Sequence, residues 1–138
     1  LSKAEAILPD LAKVIRDAIE LKRFYEEADA ILRRESERIM MSGGALSHSG
    51  PMQAERSRRD TCAMQLKQTI DRIIAYGCEV KDLDTGLVDF RSFYRGKEVY
   101  LCWKLGASSI DFWHGIDEGF RGRKPIDDDF RRNHGVSR

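Results

Sequence analysis

The chain has 138 residues, a length that fits one domain and argues against two independent cores. Its 24 basic and 23 acidic groups leave a formal net charge of +1, without the basic excess that phosphate-driven nucleic-acid binding needs. Charged residues reach 34% against 41% apolar, which points to elongated, solvent-washed helices, and no apolar run approaches the ~20 residues that cross a bilayer.

The opening residues LSKAEAILPD hold no apolar core of signal-peptide type. Ser2 and Glu5 have the spacing of a capping box, so a helix is expected to start there. Apolar residues then recur in steps of three and four at Ala4, Leu8, Leu11, Ile15, Ala18, Leu21, Tyr25, Ala28 and Leu32. That predicts one long helix over 1–41, bent near Pro9, where a backbone donor is missing. A Gly-rich link over 42–51, with Gly43, Gly44, Gly50 and Pro51, should end it. A second helix follows over 52–77, with Cys62, Leu66, Ile70 and Ile73 on one face and Gly77 as a left-handed cap. Two helices joined by a short link form an antiparallel hairpin most simply.

Past Gly77 the period changes to two. Val88 and Phe90, then Val99, Leu101 and Trp103, alternate with Asp89, Arg91, Glu98, Tyr100 and Cys102. A tight turn at Arg95-Gly96 pairs Phe90 with Leu101, Val88 with Trp103 and Asp89 with Cys102. Glu79–Asp82 and Ile110–His114 read as further strands, giving a small antiparallel sheet of three to four strands over 78–120. The charged tail, 121–138, is expected to be mobile unless it docks. The fold class is therefore α+β: a long antiparallel helical hairpin followed by that sheet.

Asp82, Asp89, Cys102, His114 and Asp117 are donor types that would hold zinc or another divalent transition metal. They lack the local spacing of a CxxC or HExxH motif, and the bland reading is a packed thiol with an imidazole hydrogen-bonded to Asp117 or a carbonyl. Cys102 as a nucleophile with His114 as its base is a further reading, weakened by the mid-strand position of the thiol. RGRK, 121–124, could grip a phosphate group, but Asp127, Asp128 and Asp129 offset it and such clusters are usually solvated surface; Phe120 beside it reads as a core anchor.

The runs GCEVKDLDTGLVDF (77–90), KEVYLCWKLG (97–106) and FWHGIDEGFRGRKPI (112–126), with the opening SKAEAILPDL, resemble a bacterial family known as domain of unknown function 2203. The resemblance implies a small bacterial cytosolic protein of this architecture and carries no catalytic role.

Two functions stay open. One is a non-enzymatic cytosolic interaction or structural module, a homodimer joined through Leu8, Leu11, Ile15, Ala18, Leu21 and Tyr25. The other is a metal-binding protein or metal-dependent enzyme with its site on the polar face of the sheet. Three widely spaced cysteines fit a reducing cytosol, and neither membrane nor nucleic acid is expected as a partner.

Overall fold

The computed structural model describes residues 1–43 and 50–134. Element order is α1 (Ser2–Ala6), α2 (Leu8–Met41), α3 (Gly50–Ala75), β1 (Cys78–Asp82), β2 (Leu87–Tyr94), β3 (Lys97–Lys104), β4 (Phe112–Gly115), a 3-10 turn (Phe120–Gly122), β5 (Lys124–Pro125) and α4 (Asp128–Asn133). The fold is α+β as expected: α2 and α3 form a packed helix pair, and an antiparallel sheet follows. The chain divides into two compact units, Leu1–Arg16 with Ile70–Arg138, and Asp17–Thr69.

The first helix is broken rather than bent. Pro9 cannot donate to the Glu5 carbonyl, so α1 stops at Ala6, Ile7 caps it, and α2 restarts at Leu8. Ser2 makes no side-chain cap. The Glu5 carboxylate instead accepts the backbone N–H of Ile110 at 2.9 Å. Ile110 is fully buried, and an amide left without a partner there costs more than an exposed cap gains.

In the helical unit, Asp29 pairs with Arg59 at 3.7 Å, and the Arg58 guanidinium lies over the Phe24 ring. Ala28, Leu32, Met52 and Cys62 are buried. Gly50 and Pro51, expected in the link, begin α3 instead, because a proline in the first turn gives up no helical bond. Residues 44–49 of that link, Gly44 among them, lie outside the described residues. The apolar stripe does not stay open along its length. Leu8, Leu11, Ile15 and Ala18 are all buried within the chain, and Leu21 and Tyr25 are half-buried.

Gly77 closes α3 with φ +91 and an N–H bonded to the Ile74 carbonyl, and β1 starts at the next residue. The sheet is a meander in the order β1-β2-β3-β4-β5, each neighbour antiparallel. Arg95 and Gly96 both take positive φ, the type I′ geometry whose twist suits a two-residue hairpin. This turn sets the register Val88↔Trp103, Asp89↔Cys102 and Phe90↔Leu101, as the sequence implied. Val88, Phe90, Leu101 and Trp103 are buried on one face, in the same unit as the buried Leu8, Leu11, Ile15 and Ile73. Ile110 precedes β4 in a loop where the Trp103 indole N–H donates to the Ala107 carbonyl.

The tail docks. Lys124-Pro125 adds a fifth strand at the sheet edge, where the missing proline donor is tolerated. Asp127 caps α4, and Phe130, at 0% exposure, packs against Tyr94, Trp113 and His134. The Asp129 carboxylate accepts from the Tyr94 hydroxyl and pairs with Arg95 at 2.5 Å, so α4 grips the hairpin tip. That pairing with Arg95 and the Tyr94 hydroxyl hold Asp129 below its ordinary range. Residues 135–138, with Val136, lie outside the described residues.

Candidate functional site

Because side chains alternate across a strand, burying Val88, Phe90, Leu101 and Trp103 forces their neighbours onto the other face. Asp89 on β2, Tyr100 and Cys102 on β3 and His114 on β4 meet there through the pairings Asp89↔Cys102 and Tyr100↔His114. Ile116, Glu118 and Gly119 after β4, with Phe120 at the start of the 3-10 turn, form the rest of the wall of a cavity of about 180 Å³, which Lys81 and Leu87 also line.

The floor of this cavity is a buried acid–imidazole pair. Asp89 is 2% exposed and His114 is 4% exposed. His114 Nε2 lies 3.0 Å from Asp89 Oδ2, and Nδ1 lies 3.0 Å from the Gly115 carbonyl oxygen. A carbonyl only accepts, so Nδ1 carries a proton, and the remaining proton of the pair sits between Nε2 and Oδ2. Burial pushes the Asp89 carboxyl above its ordinary range, and the imidazole pulls it back.

The surrounding charges are committed. Lys81 donates to Glu79 at 3.2 Å, and the Tyr100 hydroxyl donates to the other Glu79 oxygen at 3.1 Å. Arg91 bonds Glu98 at 2.9 Å. Glu118 accepts from Lys124 at 2.6 Å and from the Gly115 N–H at 2.8 Å, which together hold its carboxyl below the ordinary range. Burial raises the Cys102 thiol to about 11, with the Asp89 charge acting in the same direction. A thiol so placed is protonated at neutral pH, and both His114 nitrogens already have partners, so a Cys102–His114 nucleophile–base couple is not assembled.

Of the five expected donors, the fold brings three together: Asp89, Cys102 and His114. Asp82 turns to the local loop and accepts the Asp84 N–H. Asp117 is exposed and lines a different hollow, beside Trp113 and Lys124. The Gly115 carbonyl, not Asp117, orients the imidazole. Among the described residues no group of three or more His, Cys, Asp and Glu side chains is arranged to hold a metal ion. Lys81 and Tyr100 share the alternation that revealed Asp89 and Cys102, so the sequence could have shown them. The residues from Ile116 to Phe120 reach the site through a loop and carry no periodic signal. Phe120 is 43% exposed and walls the cavity instead of anchoring the core.

No described helix is long and apolar enough to cross a membrane. A family model described as "Uncharacterized conserved protein (DUF2203)" matches residues 1–126, and the chain belongs to that family. It matches no curated protein and no solved structure. The matched span includes the whole cavity and ends before α4.

Proposed function

We propose that this member of the family is a non-enzymatic binding module that takes a small ligand on the polar face of its sheet, the helices serving as scaffold. One observation carries the reading: a buried Asp89–His114 pair forms the floor of a cavity bounded by Leu87, Ile116 and Phe120. Binding sites are concave and mostly apolar, with a few fixed polar groups. A space of about 180 Å³ is small. An apolar cavity of roughly 150 Å³ takes a benzene, so the ligand is a single ring or a short chain with a polar head.

Binding rather than catalysis is favoured because the reactive groups are neutralised by their neighbours. The Cys102 thiol stays protonated, and the His114 ring nitrogens are held by Gly115 and Asp89. Zinc or another divalent metal finds no three-donor group among the described residues. The reading does not draw on a second copy either, since Leu8, Leu11, Ile15 and Ala18 are already covered. Three free, buried cysteines accord with the cytosol as its compartment.

The test is shift mapping by nuclear magnetic resonance on the ¹⁵N-labelled full chain with single-ring fragments. Amide shifts confined to the strands around Asp89, Cys102 and His114 and to residues 116–120 would support the reading. Shifts scattered over the helices, or none with any fragment, would overturn it.

A further inference from the structure

Resting on that reading, we propose that the ligand is a compact organic anion, its carboxylate or phosphate head held by Arg123 and its apolar body seated against Phe120, Leu87 and Ile116. The Arg123 guanidinium carbon lies 4.2 Å from the centre of the Phe112 ring and 4.1 Å from that of Phe120. Phe120 forms part of the cavity wall, and Phe112 pairs across the sheet with Cys102. The Arg123 charge acts on the Cys102 thiol, opposing the effect of burial. Arg123 is exposed and lies outside the cavity lining, and its guanidinium stands beside the Phe120 wall, between the Phe112 and Phe120 rings.

Two rings against one guanidinium fix its plane and leave its edge, where the N–H donors lie, free to point outward. That edge matches the two oxygens of a carboxylate or phosphate in parallel hydrogen bonds. The other cations around the cavity are spent: Lys81 on Glu79, Arg91 on Glu98 and Lys124 on Glu118. The acids are spent too, since Asp89 faces His114 and Glu118 holds Lys124 and the Gly115 amide. Among the described residues Arg123 makes no ion pair and no hydrogen bond to a carboxylate. An exposed guanidinium stacked on Phe120, a wall residue of this mostly apolar cavity, favours a ligand of opposite charge. A neutral ring would use the cavity but leave the guanidinium unanswered.

The experiment titrates the full-length protein with benzoate, phenyl phosphate and neutral benzamide, in wild type, Arg123→Gln and Arg123→Lys, following the same amide shifts. At least one anion should bind about tenfold more tightly than benzamide, and Arg123→Gln should remove that advantage. Lysine keeps the charge but not the planar fork, so Arg123→Lys should restore only part of it. Preference for benzoate or for phenyl phosphate identifies the head group. If benzamide binds in the cavity as well as the anions, or Arg123→Gln leaves anion affinity within about twofold, the anion assignment fails while the binding reading stands. If no probe shifts the cavity amides, both fail.

Discussion

Replacing His114 by alanine tests the buried pair most severely. The variant leaves the Asp89 carboxyl 2% exposed and takes away the imidazole 3.0 Å from its Oδ2. Breaking a buried pair from one side costs about 3–5 kcal/mol, because the surviving group stays desolvated without compensation. The pH dependence has a definite sign. Burial already holds Asp89 above its ordinary 3.8, and the imidazole is the main group pulling it down. Without it the folded-state value rises further. An acid raised on folding contributes its stability fully below the unfolded value and loses it as pH rises through the folded one. The deficit of His114→Ala should therefore be smaller near about pH 5 and larger near about pH 8. Asp89→Asn keeps a hydrogen-bonding partner for Nε2 and should cost only about 1 kcal/mol. Urea unfolding followed by tryptophan fluorescence is the assay, since Trp103 and Trp113 both lie in the sheet and report on its unit. A deficit under about 1 kcal/mol at both pH values would refute the account of the pair.

Two glycines should separate backbone strain from crowding. Gly77→Ala meets nothing within 4 Å and should cost about 1 kcal/mol from positive φ alone, whereas Gly86→Ala puts a Cβ 2.4 Å from the Leu105 Cβ and should cost roughly 1–3 kcal/mol more; equal melting temperatures would contradict this. Phe130→Ala should lose about 3–5 kcal/mol and free α4 from Trp113, read as a change in Trp113 emission; unchanged emission and stability would mean that α4 does not hold the hairpin tip. Cys78 and Cys102, both raised to about 11 by burial, should resist iodoacetamide at neutral pH and react on unfolding, as followed by mass spectrometry.

The sheet was legible because its signals are local. Arg95-Gly96 specified the turn, the turn fixed the register, and the register placed Asp89 beside Cys102 on the face opposite Phe90 and Leu101. His114 joined them because β4 continues the same alternation. What escaped depends on tertiary competition. Glu5 has the spacing of a capping residue, yet the buried Ile110 amide claims its carboxylate from 105 residues away. Period alone also does not separate the stripe positions that this chain buries, Leu8, Leu11, Ile15 and Ala18, from the half-buried Leu21 and Tyr25. Charge composition hid the tail, since one buried aromatic, Phe130, and the pairing of Asp129 with Arg95 outweigh a largely charged segment. RGRK resembled solvated surface for the same reason, and only the folded positions of Phe112 and Phe120 distinguish Arg123 from its neighbours.

The most direct measurement is a crystal structure of the full chain soaked with single-ring fragments. The account predicts ligand density between Phe120, Leu87 and the Asp89–His114 pair, with that pair intact beneath it. Density confined to other surfaces, or a cavity filled by the collapse of residues 116–120 onto Tyr100, would contradict it.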